Sequence, residues 1–350
     1  MTANMSADNS VNPKILQAIN NNLRCIDNGF AEHKVAYWVV SNGIPSIQVD
    51  VMPSRAKMGA ANIDMFSGQS GIYILGDQKW TIHKSLANPE SIRGKDYALS
   101  QLNTVLVANS IVHTTDGACP DVNIVTGLPF DHFYKGSEKD EDFIKKVSKA
   151  IKEDVSDKDG NPLYTIASHE VMPESVAAFV SHAVDHSTGD MVYQIESGFV
   201  VVDIGGFTTD ISFVNEGNSL DRERSGSRQI GVLAIRDELK QYILEEFDVD
   251  QISDNTLDKA IRSGTCRLFG KDEDVSKLRE KALHKTFSRL KNYITEVIGK
   301  GADVDKILFV GGGASVMKDV IKEFPHGEVP DKANEANAIG MLLYHTFIHA

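Results

Sequence analysis

The stretch VVVDIGGFTTDISFV, residues 200–214, decides how this chain is read. Its opening valines leave no polar face, the pattern of a strand buried on both sides, yet the run ends on a carboxylate, Asp203, and two glycines. After Phe207 and Thr208 polar and apolar residues alternate, the period of a returning strand. A buried strand that stops on an acid and on residues without side chains makes a turn whose backbone can approach a ligand closely.

Two other turns share this form. Asp27-Asn28-Gly29 closes the apolar run LRCI, and Gly311-Gly312-Gly313 closes KILFV and opens a helical stretch. Taken singly, either of the first two is more often a plain hairpin turn, while glycines before a helix are a stronger signal for an anion or a close-packed ring. Together they suit a nucleoside triphosphate. Its charges need backbone N–H groups in tight turns and a divalent cation, and magnesium is commonly held by one or two carboxylates plus phosphate oxygens. Asp27 and Asp203 are therefore the expected metal residues, acting through the ion's water shell, with Gly205 and Gly206 around the phosphates and Thr208 adding a hydroxyl. Glu174, in VMPES, stands where a strand meets a helix and can orient a water for γ-phosphate hydrolysis. By spacing alone it reads first as a glutamate stabilised by the helix dipole. Lys34 is equally a phosphate contact or a solvated strand lysine.

Composition sets the frame. The chain has 350 residues, enough for two domains or one large fold with two lobes. Apolar residues make up 41% and no run reaches the ~18 apolar residues of a membrane helix. The net charge of −13 opposes direct binding to nucleic acid. The three cysteines, Cys25, Cys119 and Cys266, lack CxxC spacing, which argues against a disulfide framework or a cysteine zinc site and for a cytoplasmic setting. The polar N-terminus has no secretory pattern.

Along the chain, residues 1–22 read as a flexible extension with a short helix over Pro13 to Asn21. Asn28-Gly29 is expected to form a two-residue hairpin. A small β-rich subdomain is expected over about 44–95, including a hairpin at Gly76-Asp77. Helices are expected at 96–113, 138–153, from about Ser175, at 231–247, over 278–297, after the three glycines, and at the C-terminus. The tail GMLLYHTFIHA lacks the basic face of a membrane-surface helix and reads as buried.

With these residues assembled, the chain resembles the actin superfamily of actin, heat-shock chaperones and sugar kinases, and most of all the plasmid-segregation actins of the ParM/StbA family. The resemblance rests on IDNGFAEHK, VNIVTGLPFDHFY, VMPES, VVDIGGFTTDIS and FVGGGASVMKD, five ordered segments from residue 25 onward. It implies an α/β, actin-like, ribonuclease H-like duplicated fold, with lobe I over 23–190 and lobe II over 191–350 around a nucleotide cleft. It also implies hydrolysis of ATP, or GTP, with Mg2+, self-association into filaments, and a DNA-binding adaptor at a plasmid centromere, with no direct nucleic acid or membrane contact. Motif by motif, Asp27, Asn28, Gly29, Phe30, Ala31 and Lys34 carry over to the first phosphate site. Glu174, Asp203 and Asp27 carry over to catalysis, Gly205, Gly206, Phe207 and Thr208 to the second phosphate site, and Gly311, Gly312, Gly313 and Ala314 to the adenosine. Arg262 and Arg267 are placed near the base without a motif. Phe30 and Ala31 stand where relatives often carry Ser or Thr, so a hydroxyl contact is missing from the first loop. The alternatives are a small-molecule kinase of the same superfamily and a non-hydrolysing scaffold.

Overall fold

The same strand order occurs twice in this chain, and the repetition is what brings the two aspartates together. The computed structural model describes residues 11–59, 71–84, 86 and 89–349. The first half begins with α1 (Pro13–Asn20), β1 (Leu23–Asn28), β2 (Glu32–Ser41) and β3 (Ile44–Pro53). Three short strands follow, β4 (Ala56–Met58), β5 (Gly71–Leu75) and β6 (Gln78–Ile82), then α2 (Gln101–Thr114), β7 (Asp121–Leu128) and α3 (Phe130–Phe133). The half closes with the hairpin β8 (Tyr134–Lys135) and β9 (Glu138–Lys139), α4 (Glu141–Ile151), β10 (Val155–Ser156), β11 (Thr165–Pro173) and α5 (Glu174–Ala183).

The second half contains β12 (Gly198–Ile204), β13 (Thr209–Asn215), β14 (Leu220–Arg228), α6 (Val232–Phe247) and α7 (Asp254–Ser263). The hairpin β15 (Thr265–Leu268) and β16 (Lys271–Asp274) leads to α8 (Ser276–Ile298), β17 (Lys306–Val310), α9 (Gly312–Val316), α10 (Lys318–Ile321), β18 (Gly327–Glu328) and α11 (Ala336–Leu343).

One sheet has the order β11-β7-β1-β2-β3 and the other, read from its parallel edge, β18-β17-β12-β13-β14. In each, an antiparallel meander is extended by two parallel strands beside its first member. Asp27 and Asp203 are thus equivalent, each the penultimate residue of the central strand. Val200 to Val202 are fully buried, as a strand covered on both faces requires.

Local chemistry accounts for most elements and for several departures from expectation. The Asn-Gly hairpin forms at Asn42-Gly43, where φ is 54° and 79°, and not at Asn28-Gly29, neither of which has a positive φ. Around Gly29 the chain makes a wider loop through Phe30 and Ala31; glycine is needed there because a Cβ would stand 2.9 Å from Glu32 O. Gly76, at φ 57°, makes the expected tight turn between β5 and β6. The helix expected at 96–113 is divided: residues 95–99 form a 3-10 turn, and Ser100 caps α2 by accepting from Asn103 N. The helix after the three glycines is likewise broken, between α9 and α10.

The N-terminal extension is not wholly loose: Ile15 is fully buried and Ala18 nearly so, packed in the core that α5 and α11 share. β3 belongs to the main sheet, paired with β2 over its length, so the small sheet begins only at β4 and recruits β10 from far along the chain. Residues 60–70, 85, 87 and 88 of the expected subdomain lie outside the described residues. β14, α7 and the β15–β16 hairpin were not foreseen; β14 reads LDRERSGSR, too polar for an apolar-pattern reading. The apolar stripe on α8 does pack as expected, with Ala282, Phe287, Leu290 and Ile294 buried. All eight residues of α11 are buried. No helix among the described residues is long and apolar enough to cross a membrane.

Candidate functional site

The three glycine turns meet in one cleft of about 730 Å³ between the two halves. Asp27, Asn28, Gly29, Phe30, Ala31, Lys34, Glu174, Asp203, Gly205, Gly206, Thr208, Gly311 and Gly312 all line it. Phe207, Gly313 and Ala314, expected at the nucleotide, do not line it. Ala314 is fully buried in the core of the second half, and a Cβ on Gly313 would lie 2.3 Å from Ile204 Cγ2. That glycine serves contact between two turns. Phe207 instead packs at a tilt against Phe30, with ring centroids 5.2 Å apart.

Hydrogen bonds hold the turns in shape. Gly205 N donates to Thr208 O at 2.9 Å, and the carbonyls of Gly205 and Gly206 accept from Val232 N and Leu233 N at the start of α6. Gly206 faces the first loop, where a Cβ would stand 3.1 Å from Ala31 N. Gly311, at φ 80°, lies so near Asp203 that a Cβ would come within 2.4 Å of Oδ1. The first loop is fastened by Ser54, whose Oγ donates to Gly29 O at 2.7 Å and whose N donates to Ala31 O. Ser54 also lines the cleft, so a hydroxyl absent from Phe30 and Ala31 is present immediately after β3. Phe30 packs on Tyr97, with centroids 4.6 Å apart. Asn28 is a brace: its Oδ1 accepts from Gly127 N at 2.9 Å, and its Nδ2 donates to Asn103 Oδ1 at 3.1 Å.

The charges here are crowded. Asp27, Asp203 and Asp210 are buried, Glu174 is the first residue of α5, and Lys34 forms an ion pair with Asp27 at 3.3 Å. Burial, then Asp27 and Asp210, push Asp203 up to about 7; a hydrogen bond from Asn337 Nδ2 at 2.7 Å opposes this. Burial, followed by Asp27, Asp210 and Asp203, raises Glu174 well above the usual carboxylate range, against Lys34. Burial lifts Asp210 to about 6 although Ser227 Oγ and Phe130 N donate to it. Burial alone would lower the Lys34 ammonium, and Asp27, Glu32 and Asp203 more than offset it.

Asp203 Oδ1 is buried without a hydrogen-bond partner. An orphaned carboxylate oxygen beside a glycine that leaves room, among acids outnumbering their one lysine, fits a hydrated divalent cation. The residues present therefore suit magnesium.

Ionisation of this cluster makes a stability prediction. Asp203 is raised above its unfolded value of about 4, so its contribution is full below that pH and is lost as pH climbs through about 7. The ligand-free protein is expected to lose on the order of 1 kcal/mol from this group between pH 6.5 and 8. The buried His33 and His169 titrate well below that window, at about 3. Melting should fall over that interval, and Asp203→Asn should shrink the fall; an equal fall in both proteins would rule out this ionisation.

Sequence reasoning missed several cleft residues. Arg55 reaches from the first half to Asp258 on α7 at 2.6 Å, and Arg236 pairs with Asp254 at 3.1 Å. Both line the cleft, as does Arg262. Arg267 does not; it is exposed on β15 and pairs with Asp272. Asn337 was likewise unforeseen, because nothing in an apolar C-terminal helix marks its first turn as facing Asp203.

Residues 25–185 match the family model of plasmid segregation protein ParM, N-terminal, and residues 201–323 match that of the archaeal actin homologue MreB-like, C-terminal. Among solved structures, the chain is similar to a 15-stranded ParM filament from Clostridium botulinum at 20% identity and a TM-score of 0.72, covering 92% of this chain and 98% of that one. It is similar to an archaeal actin homologue in complex with ADP, at 21% identity and a TM-score of 0.69, covering 91% and 97%. A third likeness is to the actin-like protein Alp7A, at 17% identity and a TM-score of 0.68, covering 93% and 95%. No curated protein sequence matches. The fold is thus actin-like, as the resemblance of the motifs implied.

Proposed function

We propose that this chain, a ParM-like protein of the actin superfamily, is a nucleotide-driven filament former that hydrolyses ATP with magnesium and moves plasmid copies apart. The observation that carries the reading is the convergence of Asp27, Lys34, Glu174 and Asp203 with three glycine turns in one cleft between equivalent sheets. Likeness to a ParM filament and to an ADP-bound relative supports assembly and nucleotide binding respectively. A net charge of −13 makes a basic adaptor, and not this chain, the natural reader of DNA.

In this mechanism Asp27 and Asp203 would hold a hydrated cation, whose chemistry there would be charge neutralisation at the phosphates. Lys34 places a fixed positive charge beside Asp27. The Gly29 and Gly206 turns line the cleft where phosphates would be bound, and Arg55 with Asp258 ties the two halves across it. Glu174, at the start of α5, orients the attacking water, and its ionised form accepts the water's hydrogen. Assembly occurs in the triphosphate state, and hydrolysis weakens subunit contacts.

Light scattering with phosphate release in the same cuvette tests this reading. Adding ATP and magnesium should give a rise that decays as phosphate appears. Phosphate release without scattering at any protein concentration would defeat the filament reading, and no release with either ATP or GTP would defeat the hydrolase reading.

A further inference from the structure

We propose that Glu170, His345 and His349 form a second metal site, outside the cleft, for a borderline transition dication such as zinc. Glu170 lies on β11, an edge strand of the first sheet, and the two histidines lie in the turn of chain that continues α11. Glu170 Oε2 stands 2.9 Å from His349 Nε2 and 3.8 Å from His345 Nδ1, and the three donor atoms all lie within 4.8 Å of one another. Zinc bonds of ~2.0–2.2 Å in a tetrahedron put neighbouring donors about 3.3 Å apart, between those two separations.

The donor set points to the class of metal. Two imidazoles and one carboxylate suit zinc, nickel or copper, whereas magnesium prefers oxygen alone, so this site and the cleft select different ions. Glu170 and His349 are exposed, which leaves an entry path and a position for water.

The site is also held in place without the metal. Trp38 Nε1 donates to Thr346 Oγ1 at 3.0 Å and Lys14 Nζ donates to Phe347 O at 2.8 Å, pinning the turn between the histidines. Tyr344 stacks on His349 with an interplanar angle of 18°. A metal would thus join ends already close, with little ordering left to do.

Its position gives it a consequence. β11 runs from Glu170 directly into Glu174, and the first turn of α11 carries Asn337, bonded to Asp203. A metal joining β11 just before Glu174 to the chain that follows α11 would stiffen the pair that frames the cleft.

The test uses tag-free, full-length protein stripped of metal, titrated with zinc by calorimetry in excess magnesium, with cobalt absorption as a second readout. One equivalent should bind, raise the melting temperature, and give the intense visible bands of tetrahedral cobalt. His349→Ala and Glu170→Gln, both at exposed positions and checked for native circular dichroism, should each weaken binding about tenfold or more. Zinc binding equal in wild type and both variants, or lost only on substituting Asp203, would overturn the site. No nucleotide is present, so the outcome is independent of the filament reading.

Discussion

Glu174→Gln is expected to slow phosphate release by about a hundredfold or more while leaving triphosphate-driven assembly intact. Glutamine keeps the length and shape of the side chain, so the close contact with Gly127 is preserved; a Cβ on Gly127 would already stand 2.8 Å from Glu174 Cγ. What is lost is the charge that accepts the hydrogen of an attacking water. Filaments should then persist after the wild type has disassembled, visible as scattering that rises and stays. Phosphate release at the wild-type rate would remove Glu174 from the chemistry. Loss of assembly together with release would make it a structural residue of the cleft instead.

The second large effect is structural. Gly340→Ala is expected to lower the melting temperature markedly, because a Cβ there would lie 1.7 Å from Ala177 O and 2.4 Å from Ala177 C. These are backbone atoms of α5, which cannot swing aside as a side chain can, so α5 and α11 must separate. Alanine improves helix propensity by about 1 kcal/mol over glycine, and overpacking of this kind costs ~1–3 kcal/mol or more, so the clash is expected to win. α5 begins at Glu174 and α11 carries Asn337, so phosphate release should fall in the same variant. Thermal melts monitored by circular dichroism decide it: a melting temperature at or above wild type would show that the helices separate at no cost.

Much of the frame was legible because its signals are local. Apolar runs ending on Asp27 and Asp203, glycines at the strand ends and the stripe on α8 each state their role within a few residues. The failures also have local causes. Asn28-Gly29 and Asn42-Gly43 carry the same dipeptide, yet only the second makes a tight turn, because Ser54 holds the first in a wider loop through bonds to Gly29 O and Ala31 O. Gly311 and Gly313 looked alike, but one borders the cleft and the other packs under Ile204.

By itself the sequence determined that this chain has buried strands ending in acids, glycine turns and an apolar C-terminal helix, since hydrophobic period and turn chemistry act over short distances. Only the tertiary structure decided which of those residues meet. Ser54, Arg55 and Asn337 reach the cleft from separate elements, and Glu170 meets His345 and His349 across half of the chain. Such pairings depend on how two duplicated sheets and the α5–α11 contact orient their ends, and no window of sequence contains that geometry.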